Sequence, residues 1–251
     1  WGNDEIAELA IAFNTMAESL SKQEYMRSTF LANVSHDLRT PMTTISGFID
    51  GILDGAIPPE KQDYYLGVIA QEVRRLSRLV SSLLDISRIQ AGDRKFTKAD
   101  FDICEMARLI LISFEAKIDE KKLDIDFDAP DALMAYSDKD AVYQVLYNIC
   151  DNGMKFSREG GKFRIAIKDD SENVAVSVYN EGVGISEADL PYVFDRFYKS
   201  DKSRGLDKTG VGLGLYICKT IIDSLGGKIF VKSEYGKYCE FTIILEKGGR
   251  S

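Results

Sequence analysis

From Leu31 to Ile52 the chain repeats an apolar residue at Leu31, Val34, Leu38, Pro41, Ile45, Phe48 and Ile52, in alternating steps of three and four. That is the a/d seam of a heptad, the pattern of a helix pressed lengthwise against another helix. Leu31 takes an a position and Val34 a d, so His36, the single histidine of the chain, falls at f, farthest from the seam. The imidazole is therefore expected in solvent. Thr40 follows four residues on, along the same exposed face. Pro41 removes a helical N–H and crowds the carbonyl of Asp37, so a kink is expected about one turn beyond His36.

Residues 55–62, GAIPPEKQ, interrupt this helix with glycine and two prolines. A second seam then runs through Ile69, Val73, Leu76, Val80 and Leu83. Two antiparallel helices with one seam each bury too little alone, so the expected solution is a pair of hairpins forming a dimeric four-helix bundle. A plain coiled-coil dimerisation hairpin is the alternative for this segment. Upstream, Ile6, Leu9, Phe13, Met16 and Leu20 make a further heptad set. The eleven residues from Leu20 to Leu31 offset the two seams by a stutter.

The formal charge of −8 argues against a nucleic-acid partner, which calls for a basic face. Cys104, Cys150, Cys218 and Cys239 form no C-x-x-C pair, so reduced structural thiols are expected. No apolar run reaches the length of about 18 residues that suggests a membrane helix. The chain opens on Trp1 within a helical pattern and is expected to be a piece of something longer.

Beyond a linker near Ala91–Ala99 the pattern changes. Helical stretches at about 102–120, 138–156, 186–196 and 213–225 alternate with strands at 123–128, 162–168, 173–179, 228–233 and 239–245. Two pairs of these strands read as hairpins, so a mixed or antiparallel sheet covered by helices is expected. Three stretches carry chemistry. In NICDNGMKFS, Asn148, Asn152 and Lys155 share one helix stripe, while Val142, Val145, Leu146 and Ile149 point elsewhere. Two amides and an ammonium suit metal and phosphate oxygens. In NEGVGIS, Gly182 and Gly184 follow a strand, as a tight turn or a close approach to a ligand requires. In TGVGLGLYICKTII, Gly210, Gly212 and Gly214 precede an apolar helix whose free N–H groups suit an anion. Neither the P-loop nor the dinucleotide fingerprint is matched. Between the last two lies VFDRFYKSDKSRGLDK, a cationic stretch with aromatic anchors Phe194 and Phe197 that reads as a lid. Each stretch alone also fits a solvated helix face, a turn or a surface loop; their order on one chain favours a nucleotide site.

FLANVSHDLRTP (residues 30–41) resembles the phosphoacceptor box of sensor histidine kinases. NICDNGMKFS, NEGVGIS, VFDRFYKSD and TGVGLGLYICK are similar, in order and spacing, to that family's asparagine, first glycine, phenylalanine and second glycine boxes. NDEIAELAIAFNTMAESL resembles the last helix of a HAMP linker. The resemblance implies an α+β chain: a HAMP helix over 1–21, a dimerisation and phosphotransfer hairpin over 22–92, and a Bergerat (GHKL) α/β-sandwich binding ATP over 93–251.

It further implies that His36 attacks the γ-phosphate of ATP, that Asp37 fixes the imidazole tautomer, and that Thr40 places a water for dephosphorylating a partner. Asn152 would coordinate Mg²⁺, with Asn148 and Lys155 on phosphates. Gly182, Gly184, Gly210, Gly212 and Gly214 would let adenine and phosphates approach, and Phe194, Arg196, Phe197 and Lys199 would anchor and charge the lid. The implied partners are a second copy of the chain and a response regulator, docking around Ser46–Gly55 and the facing start of the second helix. The implied location is the cytoplasmic side of a membrane protein whose anchor lies outside this sequence. One departure stands out: the first glycine box usually begins with Asp, and here that position is Asn180. ATP binding is expected to be somewhat weakened or unaltered, not lost. The competing readings are a phosphatase or scaffold that uses ATP poorly, a GHKL ATPase driving conformational change, and a coiled-coil adaptor.

Overall fold

A computed structural model describes residues 3–199 and 212–249. Contacts along the chain divide it into two units, which meet in sequence between Leu79 and Val80.

The first unit is a helical hairpin. Helix α1 (Asn3–Leu53) and helix α2 (Pro59–Gln90) are joined by a five-residue turn. Pro59 opens α2 at the position where a missing N–H costs nothing, and Glu60 follows in the first turn. The Ile57 N–H donates to the Gly51 carbonyl at 2.8 Å, and Phe48 and Tyr65 pack with ring centroids 4.8 Å apart. The seam residues from Val34 to Ile52 are half-buried or buried, whereas Leu31 stays exposed. Pro41 is buried and α1 continues through it as one helix. Its hydroxyl-bearing neighbours turn inward, Thr40 Oγ1 donating to the His36 carbonyl at 3.2 Å and Thr44 Oγ1 to the Thr40 carbonyl at 3.1 Å.

An apolar stripe is left over. Leu66, Val73 and Val80, each seven residues apart on α2, remain 43–51% exposed. Met42 and Ile49 on α1 are exposed at the same spacing, and upstream Leu9, Phe13, Met16 and Leu20 are exposed in steps of four and three. One hairpin therefore satisfies only part of its apolar surface, as its two separate seams foretold.

The second unit begins with the end of α2. Gln144 joins that end to the linker: its Nε2 donates to Asp85 Oδ2 at 3.1 Å, and its Oε1 accepts two bonds from the Arg94 guanidinium at 3.2 Å. Five strands form the main sheet in the order β2-β4-β5-β7-β6: β2 (Asp124–Asp128), β4 (Lys162–Asp169), β5 (Asn173–Glu181), β6 (Lys228–Glu234) and β7 (Tyr238–Glu246). β2 runs parallel to β4 and the other neighbours are antiparallel. Along β5 and β7 buried residues alternate with half-buried ones, so one face of the sheet is the core. That face is covered by α3 (Ile103–Ser113), α5 (Lys139–Phe156) and α6 (Gly214–Ser224), giving an α/β sandwich.

Two expectations are corrected. The single helix over 102–120 is two, α3 and α4 (Glu115–Lys121), divided at Phe114, whose ring is buried against Tyr147 at 4.7 Å. The helix over 186–196 reduces to a 3-10 turn at Leu190–Tyr192, where Pro191 occupies the start and cannot sustain a longer run. Two strands escaped the sequence, β1 (Ala99–Asp102) and β3 (Met134–Ser137), which pair with each other antiparallel. Four residues are too few for an alternation to register.

Candidate functional site

On the hairpin, the His36 side chain is 78% exposed, and its Nδ1 lies 3.3 Å from Asp37 Oδ1. That contact leaves Nε2 as the outward nitrogen. Thr40 is exposed one turn on, with its hydroxyl on the His36 carbonyl. Ser35 and Thr43 make the same backward bond to carbonyls four residues earlier, so the hydroxyls around His36 are drawn onto the helix.

In the second unit a pocket opens between α5, the end of β5 and the start of α6. Asn148, Asn152 and Lys155 line it from α5 together with Asp151. Asp138 caps the start of α5, accepting from the Ala141 N–H at 2.9 Å. At the other end Lys121 Nζ donates to the carbonyls of Met154, Lys155 and Ser157 at 2.7–3.0 Å, so a lysine of α4 closes the last turn of α5. Burial lowers the pKa of Lys121 below its ordinary value. The buried Cys218 thiol donates to the Val145 carbonyl at 3.7 Å, and burial pushes its pKa up to about 12. Asp151 is ion-paired with Lys117.

Asn180 forms the floor. It is 3% exposed, and its Nδ2 is fully buried without a hydrogen-bond partner among the described residues. An unmade bond of this kind in a folded core costs about 1–3 kcal/mol. Gly153 lets α5 come down over this point: a Cβ there would sit 2.9 Å from the Phe163 ring and 3.6 Å from Asn180 Oδ1. Val183, Ile185, Val193, Leu215 and Phe241 give the pocket apolar walls suited to a flat ring. Tyr198 and Lys199 close the remaining side.

The glycines divide by what they approach. A Cβ on Gly182 would stand 2.0 Å from the Phe156 carbonyl oxygen, and one on Gly184 would stand 2.2 Å from that of Glu234. One on Gly212 would meet the Phe197 backbone at 2.8 Å. These three make room for the chain itself, and Gly182 does not line the pocket at all. Gly214, at the first position of α6, faces the pocket with nothing within 4 Å. Gly210 lies outside the described residues. Phe194 packs edge-on to Phe241 with centroids 6.1 Å apart, and the Arg196 guanidinium lies 4.8 Å above the Tyr216 ring. Arg196 is thus held on a tyrosine face.

Sequence reasoning missed Gly153, Tyr198, Cys239 and Phe241. The last two were within reach, since Cys239 and Phe241 fall on the inward alternation of β7. Tyr198 carried no periodic signal; it is placed by its hydroxyl, which donates to Asp189. The four cysteines are separate, buried and unpaired.

A solvent-facing histidine beside a carboxylate on a helical hairpin, and an α/β sandwich whose pocket is lined by Asn148, Asn152 and Lys155, define a class: the chain belongs to the sensor histidine kinases. Residues 26–92 match the His Kinase A (phospho-acceptor) domain, and residues 137–249 match the histidine kinase-, DNA gyrase B-, and HSP90-like ATPase. The sensor protein SrrB of Staphylococcus aureus is 36% identical over 225 residues, 89% of this chain and 39% of that protein. The chain thus spans about two fifths of the length of the curated relatives it matches. Among solved structures, the Acinetobacter baumannii histidine kinase AdeS superposes with a TM-score of 0.71 at 28% identity, over 85% of this chain and 98% of that one. The catalytic domain of histidine kinase ThkA is 31% identical at a TM-score of 0.54, over 61% of this chain and 97% of its own. ThkA in complex with the response regulator protein TrrA gives 0.71 at 27% identity, over 91% and 64%.

Proposed function

We propose that this chain is the phosphotransfer and ATP-binding portion of a two-component sensor. It moves the γ-phosphoryl group of ATP to His36, and from there to an aspartate on a response regulator. The observation that carries this reading is the exposed His36, with Nδ1 turned to Asp37 and Nε2 outward. With the proton held on Nδ1 by Asp37, the Nε2 lone pair attacks the γ-phosphorus. A P–N bond forms as the bond to the β,γ-bridging oxygen breaks, and ADP leaves with that electron pair. Asp37 stabilises the positive charge that grows on the ring.

In the pocket, Asn180 meets the base and the apolar walls hold its ring. Lys155 and Asn148 contact phosphates, and Gly212 and Gly214 line the approach to them. Phe194 and Phe197 anchor the segment that carries Arg196 and Lys199 toward the triphosphate. The donor set suits Mg²⁺, a hard cation that keeps several waters and takes one or two protein oxygens beside substrate phosphates. Asn152 would be that ligand, and the ion would neutralise charge on the departing diphosphate. Among the described residues no cluster of three acidic, cysteine or histidine groups forms a protein-only cage, which agrees with an ion that arrives with the nucleotide.

The reverse task, dephosphorylating the regulator, falls to Thr40, whose hydroxyl donates to the His36 carbonyl and keeps its lone pairs to accept from a water. The exposed stripe of Leu66, Val73 and Val80 supports a homodimer, and the ThkA–TrrA complex supports a response regulator as the second partner. That regulator would dock around Ser46–Gly55 and the start of α2. Among the described residues no helix is long and apolar enough to cross a membrane. The reading assigns this portion to the cytoplasmic side, with HAMP-like residues 1–21 leading from an anchor elsewhere.

The test is incubation with γ-labelled ATP and Mg²⁺, alongside His36→Gln. Acid-labile, alkali-stable label that disappears in the variant supports the kinase. Label that persists in His36→Gln, or intact ATP binding with no label in either protein, refutes autophosphorylation by this portion.

A further inference from the structure

The floor of the pocket is an amide whose Nδ2 makes no hydrogen bond among the described residues. Asn180 Nδ2 is buried and has no acceptor among the described residues, so turning the carboxamide over forfeits no protein bond at that end. A carboxamide carries an acceptor and a donor side by side, and a half-turn about its last bond exchanges them. A carboxylate has no such freedom, because when ionised it only accepts. The two purines differ in this pattern. Adenine presents a donor on C6 and an acceptor at N1; a 6-oxopurine presents an acceptor on C6 and a donor at N1. With Nδ2 shut in, the atom Asn180 offers the pocket is Oδ1, which accepts from the C6 amino group of adenine; the turned amide offers Nδ2 instead, which donates to a C6 oxygen.

We infer that the pocket takes 6-oxopurine nucleoside triphosphates as well as ATP, with the unpinned Asn180 amide turning over to meet either base. The inference rests on the nucleotide reading of the pocket given above. The surroundings permit it: Asn180 is flanked in the sheet by Phe163 and Cys239. The Cys239 thiol stays protonated, burial pushing its pKa up to about 12, so no fixed charge from Cys239 favours one orientation. Next to the amide, Gly153 of α5 carries no side chain, and even a Cβ there would stand 3.6 Å from Oδ1, at ordinary van der Waals contact.

Direct binding tests this without any turnover. A fluorescent ATP analogue bound to the chain is displaced with ATP, ITP and GTP, for the natural sequence and for Asn180→Asp. ITP presents the 6-oxo edge without guanine's 2-amino group, so it isolates position 6. The expected result is ITP within about tenfold of ATP in the natural chain. In Asn180→Asp, ITP should weaken by about ten- to a hundredfold while ATP holds or tightens, the penalty for setting one acceptor against another in a buried site. ITP at least a hundredfold weaker than ATP in the natural chain overturns the inference. So does an ATP-to-ITP ratio that Asn180→Asp leaves unchanged. If no nucleotide displaces the probe, or the probe does not bind, it is the nucleotide reading of the pocket that fails.

Discussion

Replacing Gly184 and Gly214 one at a time by alanine separates two reasons for a glycine near a ligand. Gly184 sits at φ +62°, and a Cβ added to it would lie 2.2 Å from the Glu234 carbonyl oxygen and 3.0 Å from the Tyr235 Cα. Placing an L-residue in the left-handed region costs about 1–2 kcal/mol. Pushing back a backbone that is itself tied down costs about 1–3 kcal/mol more. The tie is visible: Gly182 N–H donates to the Lys237 carbonyl at 2.9 Å, Gly236 N–H to the Val183 carbonyl at 2.7 Å, and Ile185 N–H to Ser233 Oγ at 2.7 Å. The sum is about 2–5 kcal/mol, which for a unit of this size lowers the thermal midpoint by about 5–15 °C. Gly214 has nothing within 4 Å of where a Cβ would stand and opens a helix, so alanine there leaves the midpoint unchanged or slightly raised. Its methyl group instead projects into the pocket and weakens nucleotide binding. Circular-dichroism melts of both variants, followed by displacement of the fluorescent nucleotide, give the two readouts. A Gly184→Ala midpoint within about 2 °C of the natural chain, or a Gly214→Ala midpoint as low as that of Gly184→Ala, refutes the reasoning.

Lys121→Met keeps the aliphatic stem and removes the ammonium from three carbonyls at the end of α5. A loss of about 2 kcal/mol is expected in urea unfolding, discounted because the site is partly hydrated, together with weaker nucleotide binding as Asn152 and Lys155 lose their support. Val73→Glu sets an unpaired carboxylate in the exposed α2 stripe, and sedimentation should show dimer dissociation strengthened at least about tenfold. Glu181 accepts from the Lys162 N–H at 3.2 Å and from Arg158 at 2.6 Å, which hold its pKa below the ordinary 4.5. A carboxylate with a depressed folded pKa stabilises above 4.5 and loses that contribution as pH falls through the folded value. The urea midpoints of the natural chain and Glu181→Gln should therefore differ at pH 7 and converge as the pH falls through the folded value.

The parts of this molecule legible in one dimension were those whose cause lies within a few turns of chain. A heptad register needs only neighbours three and four residues apart, so both long helices and the outward direction of His36 followed from it. The stripe of Asn148, Asn152 and Lys155 followed for the same reason, as did the longer strands with their buried alternation. The helix expected over 186–196 failed where the local signal was false: apolar residues fell at helical spacing, but Pro191 lies among them and Val193 alone of Pro191, Tyr192 and Val193 is buried.

What only the tertiary structure decided depends on groups far apart in sequence. The parallel pairing of β2 with β4, the closure of α5 by Lys121 and the Gln144 junction between Asp85 and Arg94 each join segments separated by more than thirty residues. The glycines show the limit most clearly. Sequence marked all of them as places of close approach, and the fold alone distributes them, Gly182, Gly184 and Gly212 to the protein's own backbone and Gly214 to the open pocket. Asn180 was readable as a departure from a family pattern. That its amide is buried with a hydrogen bond unmade could not be read, because satisfaction of a polar atom is a property of everything packed around it.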